Sequence, residues 1–272
     1  MPRAIQFDPT ASHSTPNVTV DTSYTSLYLP LDSDIADDSQ YGHSVTAHGG
    51  AALSSAQSKF GGNSAYFDGS GDFFTIPAHD SFKFGTNSFT IEFFMRADTV
   101  NTSAQYSSVA GLIGFDQDAG ASGAYFGIRQ KNATLVYVSS NAVNFTTSNV
   151  LSANTWHHIA VCRSSGTTTM YCDGTSVGSF SDSRNYTDSN NRHLYIGENE
   201  IGTGYPANRY FKGYLDDIRI LKSYAKYTSD FTPPTSAVGP GIETITNDTR
   251  SYASVFDLRS QYKERAAGNW PT

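Results

Sequence analysis

The sequence predicts an all-β fold, a sandwich or barrel of short antiparallel strands, and three observations carry that prediction. In Ser88-Phe89-Thr90-Ile91-Glu92-Phe93-Phe94-Met95-Arg96, residues Phe89, Ile91, Phe93 and Met95 recur at period two, which marks one face of a strand as core. Turn residues interrupt the chain at short intervals up to about residue 221, and no useful helical period appears before residue 250. Composition agrees: 272 residues hold 23 Gly, 17 Tyr and 17 Phe with only 16% charged, the profile of many tight turns around much apolar surface.

Residues 1–20, with Pro2, Pro9 and Pro16 among Ser and Thr, read as an extended N-terminal arm. A β domain spanning 21–235 follows. Its first strand falls at 26–31, before the acidic loop Asp32-Ser33-Asp34-Ile35-Ala36-Asp37-Asp38-Ser39. Segments 64–69 and 72–77 read as a hairpin around Gly69-Ser70-Gly71. After the 88–96 strand, further strands fall near 108–116, 123–129, 133–139, 155–163, 168–173, 192–197 and 208–221.

Strands 155–163 and 168–173 enclose a turn centred near Ser165-Gly166. That register sets Cys162 opposite Thr169 and Cys172 opposite Ile159. Side chains alternate faces along a strand, so the two thiols point to opposite sides of the sheet and read as free. The same arithmetic disfavours a two-cysteine metal site.

Pro233-Pro234 and Gly239-Pro240-Gly241 end the β pattern and read as a linker over 236–249. In the segment 250–272, Val255, Leu258, Tyr262 and Ala266 are spaced i, i+3, i+7 and i+11, an amphipathic helical stripe. Gly268 would stop it, and Trp270-Pro271 follow.

Charge excludes some functions. At a formal −7 with no Lys/Arg cluster, the chain has no footprint for nucleic acid. No apolar run is long enough to span a bilayer, so no membrane insertion is expected. The N-terminal residues contain no signal-peptide h-region, which predicts synthesis in a cytoplasm.

A series of short motifs resembles the laminin-G-like, concanavalin-A-like jelly rolls over roughly residues 24–235. The series begins with Asp38-Ser39, Gly42 and His43, then Phe60-Gly61-Gly62, Ala65-Tyr66-Phe67-Asp68-Gly69 and Asp72-Phe73-Phe74. It continues with Thr155-Trp156-His157-His158-Ile159-Ala160-Val161, Met170-Tyr171-Cys172-Asp173-Gly174, Tyr195-Ile196-Gly197 and Gly213-Tyr214-Leu215-Asp216-Asp217-Ile218-Arg219-Ile220. The resemblance implies two antiparallel sheets packed face to face in a fold that mostly binds and scaffolds. Glucanases of this type carry Glu-x-Asp-x-x-Glu, with two carboxylates as nucleophile and acid/base. Here the nearest acids, Glu198-Asn199-Glu200, lack the third carboxylate and run into Gly202 and Gly204, so they read as a solvated loop. His157 and His158 have no Ser or Cys nucleophile at a suggestive spacing. No enzymatic activity is expected.

The resemblance also implies a structural calcium between Asp216 and the loop after the first strand, which offers Asp34, Asp37 and Asp38. Asp216 shares parity with Ile218 and Ile220, so it is expected to face the core, where a carboxylate needs a donor or a cation. The competing reading has Asp216 capping backbone amides and the loop acids solvated. For glycan binding the candidates are Tyr125, Tyr205 and Tyr210, in loop-like or strand-end positions, although most Phe and Tyr must fill the core.

Val255-Phe256-Asp257-Leu258-Arg259-Ser260-Gln261-Tyr262 with Gly268-Asn269-Trp270-Pro271 resembles the C-terminal signature of virion structural proteins from marine tailed bacteriophages. That implies a virion protein (capsid decoration, neck, or tail or fibre component) displaying a lectin-like domain toward host-surface glycans. Its partners would be other virion proteins and further copies of itself in a homo-oligomer. Val255, Leu258, Tyr262 and Trp270 would be the attachment residues, unless that stripe packs back on its own domain. The rival readings are a secreted or cell-surface carbohydrate-binding module and, less favoured, a glycoside hydrolase.

Overall fold

The computed structural model describes residues 17–100, 109–115, 125–139, 142–187, 192–198 and 210–246. In chain order the strands are β1 (Asn17–Asp21), β2 (Thr25–Leu29), β3 (Thr46–His48), β4 (Ala52–Ser54), β5 (Ser64–Asp68), β6 (Phe73–Ile76), β7 (Phe89–Ala97), β8 (Val109–Phe115) and β9 (Phe126–Lys131). They continue as β10 (Thr134–Ser139), β11 (Ala142–Thr146), β12 (His157–Ser164), β13 (Thr167–Cys172), β14 (Thr175–Ser181), β15 (Leu194–Ile196), β16 (Lys212–Lys222) and β17 (Ile242–Thr246). Among the described residues the helical content is one 3-10 turn, Asp80–Phe82.

The chain divides into two compact units. One is Asp21–Ile242; the other joins Met1–Val20 with Glu243–Thr272. β1 pairs with β17 in a two-stranded sheet. The larger unit is a sandwich of two antiparallel sheets. One has seven strands in the order β11-β10-β9-β8-β15-β6-β3. The other has eight, β14-β13-β12-β7-β16-β5-β4, with β2 also paired to β16.

The period-two pattern builds the core as expected: Phe89, Ile91, Phe93 and Met95 are all buried between the sheets. There Phe84, from the loop before β7, links them to the opposite sheet, its centroid 4.8 Å from Phe89 and 5.7 Å from Phe126 of β9. Burying each such side chain contributes about 1.5–3 kcal/mol. The β12–β13 register also matches, with Cys162 opposite Thr169 and Cys172 opposite Ile159. Cys172 therefore joins the main core, and Cys162 joins a small cluster on the other face of the sheet. Both thiols are free.

Segments 64–69 and 72–77 do not form the expected hairpin. β5 pairs with β4 and β16 in one sheet, while β6 pairs with β3 and β15 in the other. Gly69 and Gly71, both at positive φ, make a corner that carries the chain between sheets. Asp72 fixes that corner by accepting the backbone amides of Gly50 and Asp68. Phe67 and Phe74 then meet edge to face across the core, 5.2 Å apart.

Residues 223–241 cross the outer face of the eight-stranded sheet as a strap. Tyr227 and Phe231 stack at 3.5 Å and cover Ala160, Cys162 and Tyr171. Beneath the strap lies buried Glu92. It accepts Arg219 Nε at 2.9 Å, Tyr227 Oη at 2.8 Å and Lys226 Nζ at 3.2 Å. Burial alone would raise Glu92, yet Arg219, His158 and Lys226 hold it well below the usual carboxylate range. Arg219 Nη1 then donates to the carbonyls of Val238, Gly239 and Gly241 at 2.9–3.0 Å. Residues 236–241, expected to open a linker, are thus bonded into the domain. The Pro and Gly residues there shape a strap whose carbonyls turn toward one guanidinium.

Candidate functional site

The outer face of the seven-stranded sheet carries an aromatic patch. In β6, Phe74 and Ile76 point into the core, so Phe73 and Thr75 point out. In β15, Leu194 and Ile196 are buried, so Tyr195 points out, directly opposite Thr75. His48 pairs with Phe73 across β3–β6 and stacks on it at 4.3 Å and 9°. The His48 Nε2 lies 2.8 Å from Thr75 Oγ1, which fixes the imidazole. Tyr195 lies 5.9 Å from Phe73 and Tyr210 lies 6.2 Å from it. All four rings are half-buried.

Tyr195 pairs with Gly114, and Gly114 pairs with Gly127. A Cβ on Gly114 would sit 2.7 Å from the Cα of Gly127, and one on Gly127 would sit 2.8 Å from a methyl of Val138. Only glycine fits either place, because the facing backbone and the Val138 methyl already fill the space. Half-exposed rings beside a few polar groups suit an amphipathic ring such as a sugar, whose C–H face stacks while its hydroxyls find partners.

A second arrangement involves Asp216. The strand β16 bulges at Asp217, which takes φ 50°, so Leu215 and Ile218 both face the core. Asp216 therefore does not share the parity of Ile218 as the unbroken strand predicts. It faces the outer side, pairs with Phe94, and is buried by the loop 57–63. Its Oδ2 accepts the amides of Lys59 (2.7 Å) and Phe60 (3.2 Å). Its Oδ1 is buried without a hydrogen bond, and so is Oδ1 of Asp32. Burial above all, with the charges of Asp217 and Asp32, pushes Asp216 up to about 7.

Leu31, at φ 60°, turns Asp32 inward against Gly61, where a Cβ would lie 1.7 Å from Asp32 Oδ1. Two buried carboxylate oxygens without a hydrogen bond need a proton or a hard cation, so Asp216 and Asp32 are the residues that would hold a calcium. The loop acids expected to help do not. Asp37 is consumed by the amides of Tyr28, Ser39 and His43 and the Ser39 hydroxyl. Asp34 and Asp38 are exposed, with Asp34 accepting the amide of Ala36.

A third cluster joins His157, Cys172 and Asp173. His157 Nε2 accepts the amide of Ser152 at 3.0 Å, so Nδ1 carries the proton and donates it to Asp173 Oδ2 at 2.6 Å. No imidazole lone pair is left for a metal or for Cys172. Burial pushes that thiol up to about 12, which makes it a poor nucleophile. The cluster closes the turn after β13, where Asp173 also accepts the amide of His158.

Of the tyrosines expected to bind glycans, Tyr210 belongs to the aromatic patch. Tyr125 is 2% exposed and lies in the core under the guanidinium of Arg192, 5.0 Å away, so it is no surface platform. Tyr205 and Glu200 lie outside the described residues, as do the attachment residues Val255, Leu258, Tyr262 and Trp270. Glu198 is buried and bridges to Tyr210, rather than forming part of a solvated loop. Phe73, Tyr195 and His48 were missed, although Phe73-Phe74 and Leu194-Tyr195-Ile196 both place an aromatic out of phase with the core. Among the described residues no helix is long and apolar enough to cross a membrane.

Comparison with known proteins agrees with this geometry. A family model described as the concanavalin A-like lectin/glucanases superfamily matches residues 68–225. No curated protein matches the chain. Among solved structures, the binding domain of Paraclostridial Mosquitocidal Protein 1 superposes with a TM-score of 0.58 at 17% identity, covering 76% of this chain and 50% of that one. The receptor binding domain of botulinum neurotoxin C/D mosaic serotype gives 0.54 at 14%, covering 76% and 49%. Domain 4 of AbnA, a GH43 extracellular arabinanase from Geobacillus stearothermophilus, in complex with arabinotriose, gives 0.54 at 15%, covering 74% and 94%. The chain thus spans about half the length of the two toxin structures, and the likeness to all three is one of fold. The chain belongs to the concanavalin A-like lectin/glucanase superfamily.

Proposed function

We propose that this protein is a non-enzymatic, glycan-binding structural component of a tailed-phage particle, with the sandwich displayed outward. The observation that carries glycan binding is the patch of His48, Phe73, Tyr195 and Tyr210 on the outer face of the seven-stranded sheet. A solved relative of the same fold is in complex with arabinotriose, which supports a neutral oligosaccharide as the ligand class. Calcium at Asp216 and Asp32 would tie the loop 57–63 to the sandwich. The particle assignment is supported by the resemblance of the segment 250–272 to virion proteins.

Titration of the full chain with arabino-, xylo- and gluco-oligosaccharides tests the binding. Tyr195→Ala and Phe73→Ala should each weaken it about tenfold, the effect of losing roughly 1.4 kcal/mol at an anchor. Binding that survives both substitutions in folded protein sinks the patch. Turnover of any of these sugars that disappears in Glu198→Gln sinks the non-enzymatic reading. Labelling the protein on purified particles separates the virion role from that of a secreted or cell-surface carbohydrate-binding module.

A further inference from the structure

A cleft built from different residues lies where β6 runs into the 3-10 turn. It is a small, open cleft lined by Ala78, His79, Asp80, Phe82, Lys83, Phe115 and Arg192. Phe82 and Phe115 meet edge to face at 6.2 Å and give it an apolar floor. One wall is His79, which lies 4.8 Å from His43 and 5.1 Å from Tyr41, a ring 43% exposed. The His79 Nδ1 accepts the amide of Ser81, so the imidazole is fixed relative to the turn. The opposite wall is Arg192, buried and held over the ring of Tyr125.

Positive charge gathers at this cleft. Lys83 sits on the rim, 2.8 Å from Asp80, and Lys222 Nζ donates to the Asp80 carbonyl at 2.7 Å. Lys83 and Lys222 thus lie at Asp80, and Arg192 lines the same cleft, in a chain whose net charge is −7. An apolar floor receives the C–H face of a ring, and convergent cations receive an anionic substituent. We infer that the cleft is a second saccharide site, selective for an anionic sugar unit carrying a carboxylate or a sulfate. It goes beyond the neutral-glycan reading and shares none of its residues.

The test uses the full chain and three probes: oligogalacturonate, a sulfated galactan oligosaccharide and a neutral galacto-oligosaccharide. By calorimetry, at least one acidic probe should bind, and its affinity should drop as salt rises. Lys83→Glu should weaken that binding about tenfold or more, Lys83→Arg should retain it, and Tyr195→Ala should leave it unchanged. Which acidic probe binds distinguishes carboxylate from sulfate. The inference is overturned if neither acidic probe outbinds the neutral one, or if binding persists in Lys83→Glu. Loss of acidic binding in Tyr195→Ala with retention in Lys83→Glu also overturns it and moves the ligand to the aromatic patch. Neutral-oligosaccharide binding, measured on the same variants, reports on the patch separately.

Discussion

Replacing Asp216 by Asn should stabilise the metal-free protein at alkaline pH and abolish its response to calcium. The buried carboxyl is raised from 3.8 to about 7, so the folded state takes up its proton before the unfolded state does. Stability then rises as pH falls through about 7 and levels off near 3.8, because in that window the native state binds more protons. Asp217, raised to about 6 chiefly by burial, acts in the same direction. His43, lowered chiefly by burial, opposes both as pH falls below 6.5.

A displacement of roughly 3 units at 1.36 kcal/mol each sets a ceiling of about 4 kcal/mol for Asp216. The Asn side chain can still accept the Lys59 and Phe60 amides, so in chelator at pH 8 the variant should gain up to that amount, or about 10 °C in Tm. With calcium at a hundredfold excess over its Kd, the wild type instead gains about 2.7 kcal/mol by mass action and the variant gains nothing. Urea titrations at pH 5 and pH 8, with chelator and with calcium, read all four corners. Equal stability of the two proteins in chelator at pH 8 would refute the argument, as would a calcium response that Asp216→Asn leaves intact.

Gly61→Ala should abolish the calcium response while leaving the fold, since its Cβ would collide with the Asp32 carboxylate at φ +59°; calorimetric calcium titration checks this. Glu92→Gln should cost about 3–5 kcal/mol in urea unfolding, because Arg219 and Lys226 would be left buried without their carboxylate. An effect under 1 kcal/mol would show that the strap does not depend on that charge network. Cys162 and Cys172, pushed by burial up to about 11 and about 12, should react with a thiol reagent only as fast as the protein unfolds. Labelling complete within the mixing time in native buffer would contradict their placement.

What was legible in the sequence followed the strand period. Phe89 to Met95 announced the central strand, and the Ser165-Gly166 turn placed both cysteines in the correct register. Misreadings cluster where the backbone departs from regularity. Gly69-Ser70-Gly71 has the composition of a hairpin turn, but the same residues can lead a chain into the facing sheet. Nothing local distinguishes the two, because the choice is made by the partners of β5 and β6 far along the chain. Asp216 was assigned to the wrong side of its strand because a bulge at an aspartate in the left-handed region is invisible to parity counting. Its companion carboxylate was sought among Asp34, Asp37 and Asp38, whereas Leu31 adopts positive φ and delivers Asp32 instead.

The Pro/Gly segment shows why composition misleads at a domain edge. Residues 236–241 have the make-up of a linker, and isolated they would have no reason to order. Arg219 supplies that reason. Its guanidinium is buried on β16 with Glu92 on one side, and its remaining donors need acceptors. Backbone carbonyls of a segment free of bulky side chains can converge on it from three residues, Val238, Gly239 and Gly241. Asp217, left-handed at the bulge, then takes the Val238 amide at 2.8 Å. One irregularity in β16 therefore does two things: it turns Asp216 outward to the loop carrying Gly61, and it holds the strap through the Asp217 carboxylate.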